Sequence, residues 1–194
     1  MSHPIQQLVV ATGNPGKLQE MQTYLGDRVP ELSLKPPELE IEETGDTFAA
    51  NARLKATQVA IALGQWAIAD DSGLCVAALS GAPGLYSARY GRTDAERISR
   101  LLRELDETTQ RQAEFVCALA IARPDGTAAA ESVGICPGEV LTTPRGEGGF
   151  GYDPIFWVPE AGLTFAEMTA AQKDARSHRG RAFASLLAQW PGIR

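Results

Sequence analysis

Two adjacent carboxylates, Asp70 and Asp71, have the clearest potential for chemistry in this chain. They follow the apolar run 66–69, which predicts a short buried strand, and precede a Ser-Gly pair at 72–73, which predicts a turn before a second strand over 74–79. Two like charges at the end of a buried strand are costly unless a cation neutralises them. Mg²⁺, which takes oxygen ligands and substrate phosphates, is the simplest such cation. The alternative is an ordinary turn with both side chains solvated, and the tetrapeptide alone favours that alternative.

The segment 12–17 is a second candidate, because its turn-forming residues separate an apolar run from a helix pattern. The run 5–11 predicts a first strand, and the spacing of the apolar residues over 18–25 predicts a helix. A strand, a glycine-containing loop and a helix direct backbone N–H groups at an anion. Lys17 in the first turn opposes the helix dipole, which a bound phosphate would explain; a solvated surface lysine is an equally good interpretation.

Acidic side chains crowd the irregular segment 38–43. Such clusters are usually solvated, but this one also offers a second carboxylate for a metal held by Asp71. The next segment, 46–63, has one apolar stripe and a glycine after it, which predicts a helix. Asn51 and Lys55 lie beside that stripe, four residues apart, and either reach a cleft or merely edge the helix.

The middle of the chain predicts a mixed sheet. Capping-box spacing at 93–96 begins a further helix, and strands are predicted over 113–122 and 127–135. The turn residues at 124–126 join these two strands as an antiparallel pair, which excludes a purely alternating α/β arrangement.

The segment 137–154 is glycine-rich, and its residues 146–151 match the pattern G-x-G-x-x-G. A dinucleotide site is rejected, because the β-like run 155–157 follows where that motif requires a helix. We predict instead a flexible loop, then a short helix over 169–176 and a final helix after 180.

Bulk properties exclude several classes of protein. The 194 residues, 44% hydrophobic and 22% charged, fit one globular domain. The longest apolar run, 115–122, is too short to cross a bilayer, and no basic and apolar leader begins the chain, so we expect a cytoplasmic protein. A net charge of −6 argues against broad nucleic-acid or membrane binding. Cys75 and Cys117 are predicted to be buried thiols, and the absence of any Cys/His cluster argues against zinc.

Five short motifs occur in order over residues 12–180 and together resemble the inosine/xanthosine triphosphate pyrophosphatases, which hydrolyse non-standard purine nucleoside triphosphates; the resemblance runs from about residue 8 to residue 187. Each motif alone is weak, but five in register are specific. They are Thr12-Gly13-Asn14-x-x-Lys17, Glu42-Glu43-Thr44-Gly45, Asp70-Asp71-Ser72-Gly73-Leu74, Gly148-Gly149-Phe150-Gly151-Tyr152-Asp153-Pro154 and Ser177-His178-Arg179-Gly180.

The resemblance implies an elongated α/β fold in which a long mixed sheet with flanking helices forms two lobes around a central nucleotide cleft. Residues 1–194 would form this single domain, usually as a homodimer. The implied reaction is Mg²⁺-dependent hydrolysis of ITP, dITP or XTP to the monophosphate and pyrophosphate, which keeps these nucleotides out of DNA and RNA. Nucleic acid and membranes are not expected partners.

The resemblance also implies roles for individual residues. Asp71 resembles the catalytic carboxylate, held near the metal with Glu42 or Glu43, and sequence does not choose between the two glutamates. Donors on His178 and Arg179 would favour a 6-oxo purine, since a 6-amino group would leave them unpaired. Phe150 or Tyr152 would stack on the base. The residues implied to contact the substrate are Thr12, Gly13, Asn14, Pro15, Gly16, Lys17, Ser72, Phe150, Gly151, Tyr152, Asp153, Lys173, His178 and Arg179.

Two other functions remain open at this point. A Maf-like nucleotide pyrophosphatase would have a related architecture and act on pyrimidine or modified nucleotides. A non-catalytic module would bind a triphosphate without cleaving it, although such a sensor gains little from an adjacent carboxylate pair.

Overall fold

A seven-stranded sheet is the framework of the protein in the computed structural model, which describes residues 5–189 apart from the side chains of Pro15 and Asp27. The strand order is β2-β1-β3-β4-β5-β6-β7. The strands are β1 (Gln7–Val10), β2 (Glu31–Leu34), β3 (Ala67–Val76), β4 (Gln112–Ala122), β5 (Ala128–Val140), β6 (Phe156–Val158) and β7 (Leu163–Thr164). The helices are α1 (Pro15–Leu25), α2 (Phe48–Leu63), α3 (Asp94–Glu104), α4 (Ala170–Arg176) and α5 (His178–Gln189).

The sheet contains both kinds of strand pairing, as the sequence predicts. β1 pairs in parallel with β2 and with β3, whereas β6 pairs antiparallel with β5 and with β7. The α/β class with a mixed sheet and flanking helices is therefore confirmed.

The predicted helices form because their ends are capped as the sequence indicates. Thr47 accepts a hydrogen bond from the Ala50 amide at the start of α2, and Gly64 ends that helix in the left-handed region at φ 62°. Thr93 caps α3 in the same way, and Thr169 forms a full capping box with Gln172 at α4.

The turn predicted at residues 72–73 is wrong, because β3 continues without interruption from Ala67 to Val76. The predicted second strand also ends early, since Ala77–Leu79 form a 3₁₀ turn. The prediction failed because Ser72 and Gly73 carry a local turn signal, and because a strand that continues past two adjacent buried carboxylates is costly unless they are neutralised. The structure removes that cost by giving each carboxylate its own lysine, as described below.

Two stretches predicted as loops contain regular structure. β5 extends five residues beyond the predicted end at residue 135, and burial alternates along it, with Cys136, Gly138 and Val140 buried. The segment 80–92, whose glycines and proline predict a loop, contains a 3₁₀ helix, Gly84–Arg89.

The described chain divides into two compact units. Unit 1 takes the residues up to 71, then 117–134 and those from 182 onward; unit 2 takes 72–116 and 135–181. Each unit has its own apolar core. Leu8, Met21 and Phe183 belong to the core of unit 1, and Leu101, Phe156 and Phe165 to that of unit 2.

The thiols follow the prediction only in part. Cys117 is buried as expected, Cys136 is buried as well, and Cys75 is half-buried. Among the helices of the described residues, none combines the length and the apolar character needed to cross a membrane.

Candidate active site

Asp70 and Asp71 lie in the middle of β3, where consecutive side chains point to opposite faces of the sheet. Both are buried, with 1% of Asp70 and 8% of Asp71 exposed. Asp70 Oδ2 lies 3.0 Å from Lys17 Nζ, and Asp71 Oδ1 lies 3.3 Å from Lys55 Nζ. Two like charges that are adjacent in sequence are therefore compensated separately.

Lys17 reaches Asp70 because β1 and β3 are parallel neighbours, and the end of β1 lies beside the part of β3 that leads into Asp70. Val10 is in register with Ile68, and the Ala11 amide donates to the Ile68 carbonyl at 2.8 Å. The segment after β1 therefore leaves the sheet close to Asp70. Lys17, for which the sequence left a phosphate ligand or solvent open, is an ion-pair partner of a buried carboxylate in this structure.

The segment 12–17 is braced by its own side chains. Asn14 caps α1, accepting at Oδ1 from the Gly16 amide at 2.9 Å and from the Lys17 amide at 3.4 Å. The Asn14 amide donates to Thr12 Oγ1 at 3.1 Å. Gly13 is exposed, and the backbone of Pro15 begins α1, whereas its side chain lies outside the described residues.

Lys55, on α2, joins two carboxylates that are far apart in sequence. Its Nζ donates to Glu43 Oε1 at 2.7 Å as well as contacting Asp71. Asn51, one turn earlier on the same helix, donates from Nδ2 to Asp71 Oδ2 at 3.2 Å and accepts at Oδ1 from the Gly45 amide at 2.8 Å. Asn51 and Lys55 therefore both contact Asp71, and they do not merely lie along the edge of the helix.

Both glutamates left open by the sequence lie in an exposed stretch, and Glu43 is the one that reaches Lys55, with 28% of its side chain exposed. Glu43 and Asp71 consequently share one ammonium group. This group of four residues, Glu43, Asn51, Lys55 and Asp71, is called the carboxylate cluster below.

Charge and burial oppose each other in the carboxylate cluster. Burial raises the pKa of Asp71 above its ordinary value and outweighs the lowering effects of Lys55 and Lys17. Burial alone would lower the pKa of Lys55, but Asp71, Asp70 and Glu43 together raise it. The result is a protonated lysine beside an aspartate that is a stronger base than usual.

The second group of predicted residues lies in unit 2 and centres on Asp153. Asp153 is 4% exposed; its Oδ2 accepts from Lys173 Nζ at 2.8 Å and from the Phe150 amide at 2.9 Å. The Lys173 ammonium lies 5.0 Å from the centre of the Phe150 ring. Gly149 has φ 73°, and a Cβ there would lie 2.0 Å from Asp153 Oδ2, so the loop closes on Asp153 only with glycine at this position.

Tyr152 and Phe150, both predicted to be able to stack on a base, occupy different surroundings. The Tyr152 ring packs in the apolar core of unit 2, and its hydroxyl donates to the Ser87 carbonyl at 3.0 Å. Phe150 is half-buried. Of the two residues, Tyr152 is buried and Phe150 is not.

His178 and Arg179 begin α5 and are buried, at 5% and 2% exposed. The His178 ring stacks on Phe115, with centroids 4.6 Å apart and planes 11° from parallel. Arg179 donates from Nη2 to Ser72 Oγ at 3.0 Å. A Cβ on Gly180 would lie 1.8 Å from the Asp174 carbonyl oxygen, so this glycine lets α5 start directly against the end of α4.

Sequence reasoning missed two residues that hold this second group. Phe115 reads as an ordinary strand residue, and only the structure brings it to His178. Asp94 reads as a normal acidic residue in the first turn of a helix, yet it accepts from the Gly151 amide at 2.7 Å. Pairings that span 57 and more residues leave no local signal.

Comparison with known proteins extends over nearly the whole chain. The model of the Ham1 family matches residues 8–189. A dITP/XTP pyrophosphatase of Synechocystis sp. is 63% identical over 187 residues, which cover 96% of each chain. A dITP/XTP pyrophosphatase of Nostoc sp. is 67% identical over 180 residues, covering 93% of this chain and 92% of the relative. The solved structure of a HAM1 protein from Coxiella burnetii is 40% identical, with a TM-score of 0.85 over 96% of this chain and 100% of that chain.

Proposed function

The chain belongs to the Ham1 family, and we propose that it is a nucleoside triphosphate pyrophosphatase that hydrolyses ITP, dITP and XTP to the monophosphate and pyrophosphate. The observation that carries the proposal is the carboxylate cluster, in which a buried aspartate of raised pKa lies beside a protonated lysine. The relatives that bear this activity in their names match the chain over more than nine-tenths of its length.

In the proposed reaction, one water adds across the anhydride bond between the α- and β-phosphates. Asp71 orients this water and takes its proton as the anhydride breaks and pyrophosphate leaves. A general base is most effective when its pKa approaches the working pH, so the raised pKa of Asp71 suits this role. Asn51 holds Asp71 Oδ2 and so fixes the carboxylate plane.

Lys17 and Lys55 supply the positive charge that a triphosphate requires. Each is paired with a carboxylate, Lys17 with Asp70 and Lys55 with Asp71 and Glu43, so each ammonium is held in place before substrate arrives. Preorganised cations stabilise the charge that develops on phosphate oxygens without reorganisation during the reaction. Thr12 and the Gly13 amide are proposed as further donors in the triphosphate grip, as is the Asn14 backbone amide once it exchanges its bond to Thr12 Oγ1 for a phosphate oxygen.

The carboxylate cluster fits a bound Mg²⁺. Glu43 and Asp71 supply hard oxygen donors, and both carboxylates contact the same cation, the Lys55 ammonium. Mg²⁺ typically binds one or two carboxylates and completes its shell with water and phosphate oxygens. Among residues 5–189, no three acidic, histidine or cysteine side chains are grouped closely enough to hold a metal ion by themselves. When bound, Mg²⁺ would neutralise phosphate charge and lower the pKa of its water. We assign Glu43 rather than Glu42 as the second ligand.

The group around Asp153 is proposed to recognise the base. Donors on His178 and Arg179 would pair with a 6-oxo purine and reject a 6-amino purine. Since the Tyr152 hydroxyl and ring are committed to the core of unit 2, the stacking role falls to Phe150. Ser72, already bonded to Arg179, and Lys173 are proposed as further substrate contacts.

The setting of the enzyme is also part of the proposal. We place it in the cytoplasm as a homodimer that acts on free nucleotides and binds neither nucleic acid nor membranes. The net charge of −6 supports the exclusion of polyanionic partners.

The test offers ITP, XTP, ATP, GTP, dTTP and UTP separately to the purified protein with Mg²⁺, and measures pyrophosphate release. Turnover of ITP and XTP, with ATP and GTP nearly untouched, is the expected result. Turnover of dTTP or UTP without ITP would favour the Maf-like alternative. Tight binding of ITP with Mg²⁺ and no product would favour the non-catalytic module.

A further inference from the structure

The loop 149–153 presents Phe150 between two glycines in the left-handed region. Gly149 has φ 73° and Gly151 has φ 63°. Glycine accepts such angles without strain but leaves the unbraced backbone free to take many others. The direction of the Phe150 ring therefore depends on the groups that hold this loop from outside.

Asp94 is one of these groups, and it belongs to a different element. It is the first residue of α3, and its Oδ2 accepts from the Gly151 amide at 2.7 Å. Its other oxygen, Oδ1, accepts from Arg97 Nη1 at 2.6 Å, and Arg97 Nε donates to the Gly91 carbonyl at 3.1 Å. The carboxylate is thus held by α3 on one side and holds the loop on the other.

The brace continues beyond Gly151. The Tyr152 hydroxyl donates to the Ser87 carbonyl, and Ser87 Oγ in turn accepts from the Leu74 amide at 2.9 Å. Asp153 accepts from the Phe150 amide within the loop itself. Asp94 makes a charge-assisted hydrogen bond from helix α3 to the backbone of the loop. A substitution of Asp94 can remove this bond without changing any residue that is proposed to contact the substrate.

We propose that Asp94 is a positioning residue for base recognition: by fixing the Gly151 amide, it holds the Phe150 ring in the direction that stacks on the purine. This rests on the proposed function, in which Phe150 stacks on the base. Asp94 does not contact the reacting atoms. Its loss should therefore weaken nucleotide binding and leave the Asp71-dependent step unchanged.

The variants separate this role from a merely structural one. Asp94→Ala removes both acceptors, whereas Asp94→Asn keeps one oxygen that can accept from the Gly151 amide and loses the charge together with the oxygen that accepts from Arg97. Glu96→Gln is the matched control, because Glu96 lies on the same helix and pairs with Arg92 at the surface. All three changes remove one negative charge, so a difference among them is not an effect of net charge.

The first readout is steady-state hydrolysis of ITP with Mg²⁺. Asp94→Ala should raise KM about fivefold, the factor expected for one lost hydrogen bond to a charged group that is partly exposed. Its kcat should stay within about twofold of wild type, and Asp94→Asn should restore most of the KM. A KM equal to that of Glu96→Gln would overturn the proposal, as would equal losses in kcat for both Asp94 variants.

The second readout, hydrogen–deuterium exchange of the ligand-free protein, does not depend on activity. Peptides covering 149–153 should exchange faster in Asp94→Ala than in wild type or Glu96→Gln, because the Gly151 amide loses its acceptor. Unchanged exchange would overturn the proposal whether or not the enzyme turns over ITP. If wild type hydrolyses none of the nucleotides, the proposed function fails, and the exchange result still decides whether Asp94 holds the loop.

Discussion

Replacing Lys55 by Met tests the electrostatic balance of the carboxylate cluster. Methionine keeps the length and helix propensity of the side chain but removes the charge. In wild type, the Lys55 ammonium lies 2.7 Å from Glu43 and 3.3 Å from Asp71, and about a tenth of the lysine and aspartate side chains is exposed. The variant leaves two carboxylates facing an apolar group.

The expected loss of stability follows from this burial. Removing one partner of a buried ion pair costs about 3–5 kcal/mol, and the partial exposure of Glu43 places Lys55→Met at about 3 kcal/mol. For a chain of this length, that corresponds to a fall in Tm of about 6–12 °C. The loss must also depend on pH, because Lys55 is the charge that contributes most to lowering the pKa of Asp71.

The sign of that dependence is fixed by linkage. Without Lys55, the folded-state pKa of Asp71 rises further above its ordinary value of 3.8, so the folded state binds the proton more tightly than the unfolded state. Stability relative to wild type is then lost as pH rises through the window above 3.8 and regained as pH falls through it. The penalty of Lys55→Met should be largest at neutral pH and smaller at mildly acidic pH.

Thermal unfolding of wild type and Lys55→Met without added metal, from mildly acidic to neutral pH, measures how the loss of stability depends on pH. Arg53→Met is the matched control, since Arg53 lies on the same helix and pairs with Glu131, with 60% of its side chain exposed. That exposed pair should contribute less than about 1 kcal/mol. If Lys55→Met melts together with Arg53→Met, or if its penalty is equal at both ends of the pH range, the cluster does not depend on Lys55 and the reasoning is wrong.

Further predictions concern both groups of residues. Asp71→Asn should lower turnover of ITP by about 10²-fold or more while the protein stays folded, and near-normal turnover would remove Asp71 from the role of base. In metal-free wild type, the Asp71 carboxyl should take up its proton above pH 3.8, because burial raises its pKa; an NMR titration that places this uptake at or below 3.8 would contradict the burial argument. Gly149→Ala should lower Tm more than Gly162→Ala: both positions have positive φ, but only the first Cβ would meet another atom, Asp153 Oδ2. Asp153→Asn should cost about 3 kcal/mol in thermal unfolding, because it removes the charge that pairs with the largely buried Lys173 ammonium, and a loss below about 1 kcal/mol would refute that magnitude.

The elements whose ends carry local signals could be predicted from the sequence. α2 and α4 begin at capping residues, and their bounds agree with the predicted ones within two residues. The mixed sheet followed from the turn between β4 and β5. In these cases the information lies within a few residues of the feature, so no tertiary contact is needed to read it.

The central strand could not be predicted correctly, because its stability depends on distant partners. A turn at residues 72–73 was the reasonable expectation for two adjacent charges followed by Ser-Gly. Lys17 and Lys55, 53 and 16 residues before the aspartates they contact, make the continuous strand possible. The local turn propensity of Ser72 and Gly73 is overridden here by ion pairs between residues that are distant in sequence.

In the candidate site, too, the residue types could be predicted from the sequence, whereas the direction of each side chain could not. The sequence named both carboxylates of the carboxylate cluster, but Glu42 and Glu43 differ only in which one the backbone turns toward Lys55. Likewise, Phe150 and Tyr152 are equivalent stacking candidates in sequence, and the hydrogen bond of Tyr152 to Ser87 distinguishes them. Such choices depend on side-chain direction, which periodicity does not determine over an irregular segment.

The most direct test of the account is to identify the products formed from ITP and Mg²⁺ by wild type and by Asp71→Asn. Chromatography would identify the nucleotide, with a pyrophosphate assay run beside an orthophosphate assay. Wild type should form IMP and pyrophosphate in equal amounts, and the variant should give a strongly reduced yield of both. IDP and orthophosphate would show that a different anhydride bond is cut, and would contradict the role assigned to Asp71.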